Sequence, residues 1–116
     1  VPGLGILRGE VRRLEGRGVK VPHVGWNAAD FTASGERCPL FDGVEDGTYF
    51  YHTHSYVCHS EDSSQVTATT EHGARFASAV WDGRLVFGTQ FHPEKSSAAG
   101  QRVMSNFTSL ALRSAL

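Results

Sequence analysis

Apolar and polar residues alternate over short stretches through most of the chain, a pattern that is typical of strands. The run from Thr48 to His59 (TYFYHTHSYVCH) is the richest in aromatic and β-branched residues, which favour strands. Asp82 and Gly83 separate two further apolar stretches and predict a hairpin turn. The pattern predicts extended segments at 4–14, 19–27, 48–59, 66–71, 76–81 and 85–91.

A spacing of apolar residues that suits a helix begins only near the end of the chain. Four of them fall on one helical face: Ala99, Val103, Phe107 and Leu110. Ser96 or Ser97 is suited to cap the start of this helix, and Gly100 predicts close packing of the helix on the sheet. We therefore predict a helix over 96–116, and a polar loop over 30–46.

The composition narrows the class of protein. The 116 residues suffice for one domain, and 40% hydrophobic with 20% charged residues is typical of a folded one. Eleven Lys and Arg against twelve Asp and Glu give a net charge of −1, so nothing favours nucleic acid as a partner. No apolar run reaches the roughly 18 residues of a membrane span. Two cysteines are too few for a disulfide framework and favour a reducing compartment, which here predicts the cytoplasm.

The clearest chemical signal lies in Gly88–Ser96 (GTQFHPEKS). In an extended chain His92 and Glu94 project to the same side, and Pro93 keeps His92 out of the helical region. A carboxylate bonded to one imidazole nitrogen leaves the other nitrogen free to act as a general base. The spacing is that of the base and the orienting acid of a catalytic triad. A polar strand end is the alternative interpretation.

Four blocks occur in a fixed order along the chain: Gly3–Val11 (GLGILRGEV), Val21–Asn27 (VPHVGWN), Tyr49–Tyr56 (YFYHTHSY) and Gly88–Ser96. Together they resemble the class I glutamine amidotransferases, most closely the glutaminase subunits of imidazole glycerol phosphate synthases. The resemblance covers essentially all of the chain. It implies an α/β fold in which helices flank a mixed sheet. It also implies that no cofactor is used, because a thiol can attack an amide without a metal or a redox carrier.

The resemblance assigns roles to two groups of residues. His92 would be the base of a glutaminase reaction, and Glu94 would hold it in the useful tautomer. The substrate glutamine would bind along His54, Ser55 and Tyr56.

The nucleophile of this family is a cysteine in a Gly-x-Cys-x-Gly turn. Neither Cys38 nor Cys58 has glycines on both sides in this way. We therefore expect the nucleophile to precede Val1. We interpret residues 1–116 as the C-terminal part of one amidotransferase domain, truncated on its N-terminal side.

The resemblance also predicts a partner surface. Trp26, Asn27, Tyr51 and Lys95 match positions at the contact with a (β/α)8-barrel cyclase subunit, which receives the ammonia in histidine biosynthesis. Two alternatives remain open. The chain could belong to another class I glutaminase, serving anthranilate, guanylate or carbamoyl phosphate synthesis. It could also be a non-catalytic binding module that lost the nucleophile.

A second cluster of chemically active residues consists of His52, His54, Cys58 and His59. Histidine and cysteine are zinc ligands. The spacing H-x-H-x3-C-H matches no established metal motif, however, and the ligands would come from both faces of one strand. We therefore predict no metal site from the sequence.

Overall fold

The computed structural model describes residues 4–14 and 18–115. Gly3, which opens the first family block, and Leu116, at the predicted end of the last helix, lie outside the described residues. The strands are β1 (Gly9–Arg13), β2 (His23–Ala28), β3 (Asp30–Phe31), β4 (Tyr49–His54), β5 (Tyr56–Ser60), β6 (Val66–His72), β7 (Ala74–Trp81) and β8 (Phe87–Thr89). The helices are α1 (Ala33–Arg37) and α2 (Ser97–Ala115), with 3₁₀ turns at Pro39–Phe41, Ser63–Gln65 and Pro93–Lys95.

Most strands form one sheet in the order β1-β5-β7-β6-β3, with β8 paired to β7. The pairs between the described strands are antiparallel. The predicted hairpin between β7 and β8 is confirmed, and the Asp82 carboxylate accepts hydrogen bonds from the backbone N–H groups of Arg84 and Val86 in the turn. The sheet and the long α2 confirm the α/β fold class.

Strands β2 and β4 form a separate two-stranded sheet whose faces differ. His23 pairs with His54, and Trp26 pairs with Tyr51. Successive residues of a strand point to opposite faces. The inner face therefore presents histidines towards β6, while the outer face is aromatic and largely exposed. This two-faced sheet carries most of the residues predicted to be functional.

The main core lies where α2 and the turn Pro39–Phe41 cover the strands. The rings of Phe50 and Phe91 stack with centroids 4.1 Å apart, and Val103 of α2 is buried with them. Burial of such side chains stabilises a fold by about 1.5–3 kcal/mol each. Because Phe91 directly precedes His92, this core anchors the segment Gly88–Ser96, which carries the candidate base.

The predicted final helix is confirmed, and the residues of its apolar face differ in burial. Val103 is buried, whereas Phe107 is 47% exposed and meets the ring of Phe87 edge-on, with centroids 6.2 Å apart. The helix packs on the turns Pro39–Phe41 and Pro93–Lys95 through its first half, where Asn106 also donates to the backbone carbonyl of Leu40. None of the described helices is both long and apolar enough to cross a membrane.

The prediction of one continuous extended segment from Thr48 to His59 is wrong. The chain leaves the small sheet after His54 and enters the large sheet at Tyr56. The carbonyl of Ser55, between them, accepts a hydrogen bond from the N–H of Leu14 (2.7 Å). Residue types fix the strand character of both halves, but this tertiary contact decides where the run breaks.

The prediction of a polar loop over 30–46 is also wrong, because this segment contains β3, α1 and the turn Pro39–Phe41. Thr32 caps α1 by accepting a hydrogen bond from the N–H of Gly35 (3.1 Å), a local signal that suits a helix start. The predicted extended segment 4–14 is strand only over Gly9–Arg13.

Candidate active site

The turn that carries His92 is held by strand β4. The His92 N–H donates to the carbonyl of Tyr51 (2.9 Å), so His92 keeps extended backbone angles where the chain leaves the sheet. Pro93 then begins the 3₁₀ turn, as its fixed φ angle favours. The base candidate therefore sits on a rigid connection between the large sheet and α2.

Ser96 fastens this turn to β4 and was missed as a functional residue by the sequence reasoning. It is 1% exposed. Its hydroxyl accepts from the N–H of Tyr51 (2.9 Å) and donates to the carbonyl of His92 (2.6 Å). A serine four residues after a candidate base is a usable signal, because serine hydroxyls commonly bond the carbonyl four residues back.

Gly100 lets α2 approach the same turn. A Cβ at this position would collide with the carbonyl oxygen of Pro93. The sequence predicted that Gly100 marks close packing of the helix on the sheet. The structure places that close approach at the turn of Pro93, so the glycine positions the candidate site.

His92 and Glu94 are hydrogen-bonded as their spacing predicts. The His92 Nδ1 donates to Glu94 Oε1 at 2.8 Å, and the two side chains are 37% and 54% exposed. Two hydrogen bonds lower the pKa of the Glu94 carboxyl. The larger effect comes from the backbone N–H of Glu94 and the smaller from the His92 ring. With the proton on Nδ1, the lone pair of Nε2 is free, which is the form a general base requires.

The residues predicted to bind glutamine lie where β4 passes into β5. His54 ends β4, the strand whose Tyr51 carbonyl accepts the N–H of His92. The Tyr56 side chain is exposed, and its carbonyl accepts from His54 Nδ1 (3.2 Å). The carbonyl of Ser55 is already bonded to Leu14. The segment therefore borders the candidate site, with two of its backbone acceptors already used within the fold.

The residues predicted to contact a partner divide into two groups. Trp26 and Tyr51 lie side by side on the outer face of the small sheet, with ring centroids 6.0 Å apart, and Lys95 is exposed in the turn after His92. Asn27 points to the other face instead. Its amide donates to the carbonyl of Glu71 (2.8 Å) and accepts from the N–H of Ala28.

A second group of histidines lies on the inner face of the small sheet. His23 and His52 are buried. The ring of His23 stacks on that of His52 and on that of His72, with centroids 4.5 and 4.0 Å apart. His54 completes the group, which we call the inner histidine cluster.

Three members of the inner histidine cluster point ring nitrogens at one another. The Nδ1 atoms of His23 and His52 lie 3.0 and 3.1 Å from Nε2 of His54. The pKa of His23 is lowered to about 4 and that of His52 to about 3. Burial is the main cause, and repulsion from the neighbouring imidazoles adds to it. Burial likewise lowers the pKa of His54. These imidazoles are therefore neutral near pH 7.

Sequence reasoning identified only part of this cluster. It grouped His52 and His54 with Cys58 and His59, but the latter two are exposed on β5 in the large sheet. His23 joins the cluster because β2 pairs with β4. The sequence carries no local signal for this, because the pairing of β2 with β4 is what places His23 opposite His54.

The two cysteines have contrasting surroundings. Cys38 is buried, and burial raises the pKa of its thiol. Cys58 is exposed on β5, in register with Val11 and Ala77 of its neighbouring strands. A nucleophilic cysteine needs an accessible thiol on a turn that presents it, whereas Cys38 is buried and Cys58 lies within a strand.

The fold and the His92–Glu94 pair agree with the sequence comparisons. The family model named glutamine amidotransferase class-I matches residues 8–110. The chain therefore belongs to the class I glutamine amidotransferases.

Three similar curated proteins bear names that define a narrower group within this class. A protein of Moorella thermoacetica is 49% identical over 95% of this chain and 50% of its own length. One from Dehalococcoides mccartyi (strain CBDB1) is 48% identical over 94% and 51%. One from Thermococcus kodakarensis is 45% identical over 94% and 55%. Each is named imidazole glycerol phosphate synthase subunit HisH. The chain spans about half the length of these relatives.

Proposed function

We propose that the full-length protein is the glutaminase subunit of an imidazole glycerol phosphate synthase. It would hydrolyse glutamine to glutamate and ammonia in the cytoplasm and pass the ammonia to a cyclase subunit in histidine biosynthesis. The observation that carries the proposal is the 2.8 Å bond between His92 Nδ1 and Glu94 Oε1, within a chain whose curated relatives bear that name.

The proposed reaction proceeds through a thioester. His92 Nε2 takes the proton of a cysteine thiol supplied by the full-length protein, and the resulting thiolate attacks the side-chain amide carbon of glutamine. His92 then donates that proton to the leaving nitrogen, which departs as ammonia. Water next attacks the thioester, His92 takes its proton, and glutamate leaves as the thiol is restored. Glu94 stabilises the imidazolium that forms in each half of the reaction.

The outer face of the small sheet is the proposed surface for the cyclase. It carries several exposed apolar side chains: Val24, Trp26 and Tyr49. Aromatic side chains are enriched among the residues that dominate binding energy at interfaces. Tyr51 links this face to the base, because its ring borders Trp26 and its carbonyl holds the N–H of His92. Lys95 follows in the same turn, so partner contact and catalysis would share one rigid unit.

The direct test measures glutamate release by the full-length protein, alone and with the cyclase subunit. We expect hydrolysis that increases when the cyclase is bound, and covalent labelling of one cysteine by an electrophilic glutamine analogue. Hydrolysis that responds only to another synthase would indicate a different class I glutaminase. Absence of both hydrolysis and labelling would indicate a binding module and contradict the proposal.

The partner surface is tested with Trp26→Ala. We expect this change to weaken cyclase binding by about 2 kcal/mol, measured by titration calorimetry. Leu85→Ala is the matched control, because Leu85 is equally exposed but lies in the β7–β8 turn. Equal effects of the two variants would place the partner elsewhere.

A further inference from the structure

We propose that His23, His52 and His54 form a binding site for a divalent transition-metal ion of the zinc class. The three residues come from the paired strands β2 and β4. One ring nitrogen from each lies within 4.8 Å of the other two. The site shares His54 with the segment predicted to bind glutamine, and it adds His23 and His52, to which the proposed glutaminase reaction gives no role.

The nitrogen separations suit tetrahedral coordination. Zinc–imidazole bonds of about 2.0–2.1 Å place two ligand nitrogens about 3.3 Å apart in a tetrahedron. The separations from His54 Nε2 to Nδ1 of His23 and of His52 are 3.0 and 3.1 Å. The third separation, between the ligand nitrogens of His23 and His52, is at most 4.8 Å, so an ion at the centre also requires these two rings to move towards each other.

The hydrogen bonds of the cluster also favour an ion. Nδ1 of His54 donates to the carbonyl of Tyr56, so its Nε2 offers one lone pair. Two N–H donors, from His23 and His52, compete for that lone pair. A metal ion replaces both protons and is bound by all three nitrogens. His23 and His52 then carry their protons on Nε2, and His23 loses its long, 3.3 Å contact with the Asn27 amide nitrogen because both groups are then donors.

The surroundings supply part of the outer shell that a metal site of this class usually has. Metal-ligating histidines usually donate their other N–H to a carbonyl or carboxylate. His54 does so to Tyr56, whereas Nε2 of His52 is buried without a partner among the described residues. His72 donates its Nε2 proton to the carbonyl of Lys20 (2.8 Å), so it forms a wall of the site by stacking on His23. Three neutral imidazoles suit zinc, cobalt, nickel or copper and not magnesium or calcium. His54 is only half-buried, so solvent reaches this side of the cluster.

The test is a titration of the full-length protein, purified without a histidine tag, first with Co²⁺ and then with Zn²⁺. We expect one equivalent of Co²⁺ to bind with the intense visible absorption of a tetrahedral ion, and Zn²⁺ to displace it. Absence of stoichiometric binding would overturn the proposal. A thiolate-to-metal charge-transfer band would also overturn it, because it would assign the ion to a cysteine.

Substitution of single histidines tests which residues bind the metal ion. His52→Gln should weaken Co²⁺ binding by at least about 100-fold, because loss of a ligand exceeds the 10–100-fold cost of losing an outer-shell partner. His23→Gln tests a second ligand independently. The control is His59→Gln, which removes an exposed histidine on β5. Unchanged affinity in both ligand variants, or an equal loss in the control, would contradict the assignment. The wild-type titration decides the question even if a variant fails to fold.

Discussion

The inner histidine cluster and the His92–Glu94 pair place histidine side chains in contrasting surroundings. In the cluster, His23 and His52 are buried beside other imidazoles, and their pKa values fall to about 4 and 3. At the turn, His92 is partly exposed and its Nδ1 bonds a carboxylate at 2.8 Å. Surroundings, rather than residue type, decide which histidines can cycle a proton.

These contrasting surroundings suit two kinds of chemistry, general-base catalysis and metal binding. A general base must gain a proton during the reaction, and a neighbouring carboxylate stabilises the cation that results. A metal ligand must remain neutral, which burial among other imidazoles favours. The turn therefore suits catalysis, and the cluster suits metal binding and packing.

Removal of the Glu94 carboxylate should have a large effect on glutamine hydrolysis, because His92 then lacks the hydrogen-bond partner of its Nδ1 atom. We expect Glu94→Ala to lower kcat/KM for glutamine by about 10²-fold or more in the full-length protein, because the imidazolium loses its partner. The thermal unfolding midpoint should stay unchanged, since Glu94 is exposed. Glu61→Ala removes an exposed carboxylate elsewhere and serves as the control. An active Glu94→Ala variant would mean that the carboxylate has no part in the reaction.

Truncation of a histidine should affect stability in one region and not in the other. We expect His52→Ala to lower the free energy of unfolding by about 2–3 kcal/mol, because it leaves a cavity in a packed cluster. His92→Ala should lower it by less than about 0.5 kcal/mol, as for other surface positions. Urea unfolding in the presence of a metal chelator measures both values. Equal losses would show that the two histidines do not differ in structural role.

Loss of the Ser96 hydroxyl should loosen the turn without touching the reacting atoms. We expect Ser96→Ala to lower the free energy of unfolding by about 1–2 kcal/mol, because it removes the hydroxyl that accepts from the N–H of Tyr51. The carbonyl of His92 loses one of its two donors and keeps the N–H of Lys95. Glutamine hydrolysis should fall through kcat rather than KM. Ser109→Ala, on the exposed side of α2, is the control. An unchanged kcat would rule out the positioning role.

Sequence predicted best what depends on neighbouring residues. His92, Pro93 and Glu94 are adjacent in the chain, so extended geometry alone brings the two polar side chains together. The hairpin at Asp82 and Gly83 and the final helix likewise follow from local residue types and spacing. Each of these elements is present in the structure.

Sequence failed where distant segments decide the outcome. The inner histidine cluster depends on the pairing of β2 with β4 and on the packing of β6, and no local pattern gives either. The break of the Thr48–His59 run at Ser55 depends on Leu14, which lies far away in the chain. Asn27 adjoins Trp26 in sequence but faces the opposite side of its strand, so a shared motif does not give the two residues a shared surface.

The most direct test of the central claim is the rate of glutamate release by full-length His92→Asn with the cyclase present. Asparagine cannot accept the thiol proton, so we expect kcat/KM to fall by about 10²–10⁴-fold. His59→Asn, an exposed histidine without a proposed role, should retain the wild-type rate. Wild-type turnover in His92→Asn would contradict the assignment of His92 as the base.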